Sequence, residues 1–169
     1  KHEVESGLKV VSDGEFGRSW WHLDFLWNLT GFEAYQQEDS YKFHGAKTRT
    51  TNVRIAGKIA ENPNHPFYRD FSYLKSVTPE GVTPKVTIPS PSLVIKRDHR
   101  SDLALDHYDS WQAYLDGLAQ AYHDTIQHFY DLGARYVQLD DTTWGYLIQQ
   151  FEDYKDNPEK TAELASIAE

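Results

Sequence analysis

The sequence predicts an α/β protein, a parallel sheet covered by helices. Three observations carry that prediction: short apolar runs that end on polar loops at three places, one long amphipathic helix, and a connection of two residues from that helix into the next strand. Parallel neighbours need a crossover connection, so strands alternating with helices over short links imply parallel pairing. Such a rhythm does not separate a closed barrel from an open sheet.

The elements follow in order. Lys1 to Ser6 is a polar, helix-like run stopped at Gly7, and it looks more like the end of a helix than a natural start. Leu8 to Glu15 (LKVVSDGE) reads as a strand feeding a loop at Gly14. Trp20, Trp21, Leu23, Phe25, Leu26 and Trp27 are too dense for a surface helix and predict a buried helical turn ended by Gly31. From Phe32 to Ile59 aromatic, β-branched and charged residues alternate, the pattern of an antiparallel insertion near residues 32–59. Phe67, Phe71 and Leu74, with Pro66 suited to a first turn, predict a helix.

Lys85 to Ser92 (KVTIPSPS) is a second strand end, its prolines stopping further pairing. Asp109 to Leu132 is a helix on the stripe Trp111, Leu115, Leu118, Tyr122, Ile126 and Phe129, with Asp109 and Gln112 as a capping box and Gly133 as the stop. Arg135 to Asp140 (RYVQLD) is a strand ending in acid, and Thr143 to Tyr154 a helix. Asp156 to Pro158 breaks that helix rather than linking domains.

Composition narrows the function. With 169 residues, 39% of them hydrophobic and 14% aromatic, the chain reads as one globular domain, and no stretch approaches the ~20 apolar residues of a membrane span. A formal charge of -9 with no basic run among 17 Lys and Arg argues against nucleic acid. There is no cysteine, hence no disulfide and no thiolate metal ligand within this chain, and no basic-plus-apolar leader, so a cytoplasmic address is expected. The chain begins with Lys and holds no methionine, which points to processing or truncation.

In parallel α/β proteins ligands bind at the carboxyl ends of strands, where loops and helix N-termini converge. Three strand ends qualify: Asp13-Gly14-Glu15, Pro89-Ser90-Pro91-Ser92 and Gln138-Leu139-Asp140-Asp141. Period-two alternation puts Val11, Asp13 and Glu15 on one side of the first strand, and Tyr136, Gln138 and Asp140 on one side of the last. The plain alternatives are structural: Asp13 closing an Asx turn, Asp141 capping the helix at Thr143. Arg18 suits either an ion pair with Glu15 or a bidentate grip on a substrate carboxylate. His22 and the Trp20-Trp21 pair read more readily as core than as a stacking platform, whereas Trp144 is placed to cover a planar ligand.

Eight histidines invite a metal, but none shows His-x-x-x-His spacing, and His44, His65, His99, His107, His123 and His128 sit in polar surroundings, which argues against a metal site made wholly within this chain. No Gly-x-Gly-x-x-Gly, Walker loop or Gly-x-Ser-x-Gly elbow is present.

SDGEFGRSWWHLDFLW (Ser12 to Trp27), VTPKVTIPSPS (Val82 to Ser92) and ARYVQLDDTTWGYL (Ala134 to Leu147) resemble, in the same order, the short single-barrel relatives of cobalamin-independent methionine synthase. The resemblance implies a single partial (β/α)8 TIM-barrel domain over residues 1–169, lacking the first strand and the C-terminal strands that carry zinc ligands. It implies methyl transfer from 5-methyltetrahydrofolate to the sulfur of homocysteine, in methionine biosynthesis. It assigns Glu15 and Asp140 to the substrate amine, with Arg18, Gln138 and Asp141 as matching motif positions, and puts Ser90 and Ser92 on the pteridine side. The family's zinc, held by His, Glu and two Cys, lowers the thiol pKa; none of those ligands can be matched here, so the chain alone is expected to be inactive.

Two rival readings stand beside it. A glycoside hydrolase barrel also places paired carboxylates, here Glu15 and Asp140, near Trp platforms. A truncated barrel with open edges would be a non-catalytic body that forms a homo-oligomer through those edges.

Overall fold

A computed structural model describes residues 2–36, 42–43, 46–47, 50–96 and 106–168. The predicted histidines His44 and His99 lie outside the described residues. In chain order the elements are α1 (His2–Glu5), β1 (Val10–Val11), α2 (Leu23–Leu26), β2 (Thr30–Gln36), β3 (Lys42–Phe43), β4 (Ala46–Lys47), β5 (Thr51–Ala60), α3 (Pro66–Val77), β6 (Thr83–Pro84), β7 (Val86–Pro89), α4 (Ser92–Lys96), α5 (Trp111–Asp131), β8 (Val137–Asp140), α6 (Thr143–Asp153) and α7 (Pro158–Ala168).

The organising feature is a run of chain, β6 and β7, that pairs in parallel on both sides. Thr83 and Lys85 donate their N–H groups to Lys9 and Val11 beside β1, while Val86 and Ser90 donate to Tyr136 and Asp140 beside β8. Successive N–H groups of a strand point to opposite edges, so Pro84 and Pro89 fall where nothing is lost. Pro84 faces the β8 edge before that pairing begins, and Pro89 faces the β1 edge after that pairing has ended. The predicted parallel α/β class is therefore realised as three short parallel strands in mixed α/β surroundings, and among the described residues they close into no barrel.

α3 and α5 are the long helices in the connections between these strands, and their apolar faces build much of the core. Val86 and Ile88 of β7 are buried with Phe67 and Phe71 of α3, with Tyr122 and Phe129 of α5, and with Phe25 of α2. α5 buries Tyr114, Leu118, Ala121, Tyr122, Thr125 and Phe129. That stripe is rotated from the one expected: Trp111 is exposed and Leu115 and Ile126 are only partly buried. The cap is also displaced, since Ser110, not Asp109, is the N-cap and accepts from the Ala113 N–H. Gly133, at φ +99, ends the helix as expected.

The insertion is an antiparallel hairpin of β2 against β5, with Phe32 opposite Ile55 and Glu33 opposite Arg54. Phe32, Val53, Ile55 and Ile59 face the core, and the Glu33–Arg54 ion pair lies on the exposed face. Gly31 does not end a helix. It sits in β2 at φ +87, where the register shifts and where a Cβ would run into the Lys58 backbone. His65 likewise departs from its expected polar surroundings: it is buried and caps α3, Nδ1 accepting from the Phe67 N–H at 3.2 Å and Nε2 donating to the Phe25 carbonyl at 3.0 Å. No helix among the described residues is long and apolar enough to cross a membrane.

Candidate functional site

β1 is shorter than the predicted strand, and the alternation that would carry Glu15 inward breaks at Gly14. Gly14 has φ +64 and Glu15 φ +59, so two successive residues are left-handed and the chain turns. Ser12 Oγ accepts from the Gly14 N–H at 3.2 Å, and Asp13 Oδ1 accepts from the Glu15 N–H at 2.9 Å, the Asx turn foreseen for Asp13. Glu15 is the only non-glycine among the described residues with positive φ. Such a conformation costs on the order of 1–3 kcal/mol and persists only where surroundings impose it.

Arg18 does the imposing. Its side chain is 5% exposed, its guanidinium lies over the Phe67 ring at 4.2 Å, and it donates to the carbonyls of Trp21 and Thr87 and to Glu15 Oε1 at 3.1 Å. Thr87 Oγ1 donates to the same Glu15 oxygen at 2.7 Å. Of the two roles open to Arg18 in the sequence, the structure realises the ion pair. Glu15 is thereby held at the end of the sheet with part of its carboxylate open to solvent.

Thr87 is the register partner of Gln138 on β8, so the Glu15 cluster and the Gln138–Asp140 pair occupy neighbouring rows. Gln138 and Asp140 share a side of β8 as their period-two spacing requires, and Gln138 Nε2 donates to Asp140 Oδ1 at 2.6 Å. Lys85, two residues before Thr87 and thus on its face, donates from Nζ to Gln138 Oε1 at 2.9 Å.

A third group joins the ends of β7 and β8. Ser92 Oγ donates to Ser90 Oγ at 2.9 Å, Thr143 Oγ1 donates to Ser92 Oγ at 3.0 Å, and Ser90 Oγ reaches Asp141 Oδ2 at 3.4 Å. Asp141 Oδ1 accepts from the Thr143 N–H at 2.7 Å, an Asx turn leading into α6; the cap position expected of Asp141 falls instead on Thr142, whose side chain makes no capping bond. Burial pushes the Asp141 carboxyl upward, but the Thr143 N–H and the Ser92, Thr143 and Ser90 hydroxyls outweigh it and hold it below the usual carboxylate range. Tyr122 donates from its hydroxyl to the Pro89 carbonyl at 2.9 Å, fixing the last residue of β7 from the helix side; burial drives that phenol well above its ordinary range.

Glu15, Arg18, Gln138, Asp140, Asp141, Ser90 and Ser92 therefore gather along one end of the parallel strands. Trp144 stands apart, 54% exposed on the first turn of α6. Trp20 and Trp21 pack their rings on buried His22. Lys85, Thr87 and Phe67 were not singled out in the sequence. Alternation back from Pro89 was a usable signal for Lys85 and Thr87, whereas Phe67 beneath Arg18 depends on a tertiary contact. Among the described residues no three His, Asp or Glu side chains gather as metal ligands.

No protein-family model matches the chain. Two proteins of Bacillus subtilis (strain 168), the uncharacterized proteins YxjG and YxjH, are 39% and 42% identical to it, over 96% and 87% of this chain. The matches span 43% and 38% of those proteins, so the chain covers about two fifths of the length of these relatives. The crystal structure of a protein from Listeria monocytogenes, described as a putative vitamin-B12-independent methionine synthase, aligns at a TM-score of 0.67 and 40% identity. That alignment covers 86% of this chain and 39% of the other. A B12-independent methionine synthase from Shewanella sp. W3-18-1, in complex with selenomethionine, aligns at a TM-score of 0.59 over 95% of this chain and 45% of its own, and at 18% identity it speaks for the fold alone.

Proposed function

We propose that this chain, a relative of the B12-independent methionine synthase-like proteins, carries the amino-acid-binding strand ends of a methyltransferase that acts on the sulfur of homocysteine. The observation that supports this reading best is the pair of acids on neighbouring rows. Glu15 is held in a strained conformation by Arg18 and Thr87, and Asp140 is held by Gln138. A substrate ammonium carries one positive charge and N–H donors in a tetrahedral array, and two positioned carboxylates suit both. Ser90 and Ser92 are the proposed contacts on the side of the methyl-folate donor, with Asp141 hydrogen-bonded to Ser90, and Trp144, apart from them on the first turn of α6, is the residue proposed to cover its ring. The partial TIM barrel implied by the sequence is the setting of this reading, and the parallel pairing of the strands that carry the three motifs supports it.

Zinc, which would supply the thiolate at neutral pH when bound, does not fit the residues at hand. The chain has no cysteine, and the described His, Asp and Glu residues form no ligand group. The chemistry assigned to this polypeptide is therefore binding and orientation of the amino acid. The hydrolase alternative gains nothing from Trp20 and Trp21, which pack on His22 instead of flanking Glu15.

Calorimetric titration with L-methionine tests the binding half. Saturable binding is expected, weakened at least about tenfold by Glu15→Gln or Asp140→Asn, the loss of one charged hydrogen bond; binding indifferent to both substitutions would overturn the reading. Incubation with 5-methyltetrahydrofolate, homocysteine and added zinc tests the other half. No methionine is expected from this polypeptide alone, and sustained turnover would refute the division of labour proposed here.

A further inference from the structure

Lys85 is a charged side chain bonded to the Gln138–Asp140 pair that neither the resemblance nor the proposed amine site employs. We infer that Lys85 is a positioning residue: it fixes the orientation of the Gln138 amide and, through it, the carboxylate of Asp140.

The inference rests on which groups can donate. An ammonium only donates and an ionised carboxylate only accepts, whereas a primary amide does one at each end and can be turned by half a rotation. Lys85 Nζ lies 2.9 Å from Gln138 Oε1, and Gln138 Nε2 lies 2.6 Å from Asp140 Oδ1. With Lys85 in place the flipped amide is doubly penalised. Its NH2 group would face the ammonium and its oxygen would face the carboxylate.

Without Lys85 only one of those contacts selects the orientation, and Gln138 gains a competing one with water. The backbone makes the chain of contacts possible. Lys85 lies between β6 and β7, one residue before the Val86–Val137 register pair, and from there its ammonium reaches Gln138 on the adjacent strand. Tyr136 borders the path, its ring 5.7 Å from Nζ, which favours the ammonium staying over the sheet.

The arrangement separates two jobs that a single Lys–Asp ion pair would merge. Lys85 placed directly on Asp140 would neutralise the acid and compete with a substrate ammonium for it. Interposing an amide transmits orientation and keeps the negative charge of Asp140 available to the ligand. This deepens the proposed amino-acid site and rests on it only for the identity of the ligand.

The test uses the full chain and two readouts. Lys85→Met keeps the aliphatic stem and removes the donor. In the ligand-free protein the Gln138 side-chain NH2, followed by proton–nitrogen NMR, is expected to exchange with solvent about tenfold faster in Lys85→Met and to recover in Lys85→Arg. Methionine affinity is expected to fall about tenfold in Lys85→Met, to recover in Lys85→Arg, and to fall no further when Lys85→Met is added to Gln138→Met, because the two residues act in series.

Additive losses in that double-mutant cycle would mean that Lys85 meets the ligand itself and would overturn the inference, as would an unchanged Gln138 signal. If Lys85→Met fails to fold, Lys85→Arg and Gln138→Met carry the same comparison: loss with the second and retention with the first supports the inference, and the reverse refutes it. A chain that binds no methionine but frees its Gln138 amide in Lys85→Met upholds the positioning role and removes the substrate reading.

Discussion

Glu15 and Arg18 form the tightest knot at the scale of single residues. Arg18 is nearly buried, and its guanidinium contacts two carbonyls, a hydroxyl, a carboxylate and an aromatic ring. A lysine has no planar fork to reproduce that set. Replacing Arg18 with Met leaves Glu15 strained with its cation gone, so a loss of about 2–4 kcal/mol is expected in urea unfolding. A loss under half a kcal/mol would mean that the contacts are incidental. The sequence made Glu15, Arg18, Gln138 and Asp140 visible because they lie at or just past strand ends. It hid how Glu15 gets there: alternation assumed a strand through residue 15, whereas Gly14 and Glu15 reverse the chain. Alternation back from Pro89 gave the face of Lys85 and Thr87 but not their partners. These are Gln138 on β8 for Lys85 and Glu15 past β1 for Thr87, 53 and 72 residues away and neighbours only on folding.

Elements were legible in kind and less so in orientation. The hairpin, the proline-led α3, the long α5 and the acid-ended β8 all stand where periodicity put them. α5 buries a different stripe because Trp111, Leu115 and Ile126 and the set Tyr114, Ala121 and Thr125 both recur at helical spacing, and packing against β5 chooses between them. No local signal marked His65 as a cap either. Its geometry fixes the neutral ring, since Nδ1 must accept from Phe67 and Nε2 must donate to Phe25. Burial lowers its pKa below 6.5, outweighing the Phe25 carbonyl and the charge of Glu61. The unfolded chain then takes up a proton before the folded one does, so the His65 contribution is complete above the unfolded value and declines as pH falls through about 6.5 toward the lower folded value. Urea midpoints measured from pH 7.5 to 5 are expected to drop more steeply for the natural chain than for His65→Asn, whose amide can still accept the cap bond. Parallel slopes would assign the decline to other groups.

Stability across the whole molecule should be graded from the middle of the parallel sheet to its open side. Ile88 at the centre of β7 is fully buried, and Ile88→Ala is expected to cost about 3 kcal/mol. Leu139 on β8 is 45% exposed, and Tyr136 just before β8 and Trp144, Tyr146 and Ile148 in the helix that follows it are also exposed. In the dilute chain Leu139→Ala should therefore cost less than about 1 kcal/mol. This edge is also where the sequence-based expectation of a homo-oligomer is exposed to test, because among the described residues β8 pairs on one side only, and an open strand edge is a template for another strand. A partner that binds only the folded state adds stability in proportion to the logarithm of its concentration. If copies pair through β8, the cost of Leu139→Ala must rise toward that of Ile88→Ala as protein concentration increases a hundredfold, and the melting temperature of the unmutated chain must rise with it. A cost that stays flat over that range, together with a monomer mass in sedimentation equilibrium, would remove self-association through this edge while leaving the strand-end site as described.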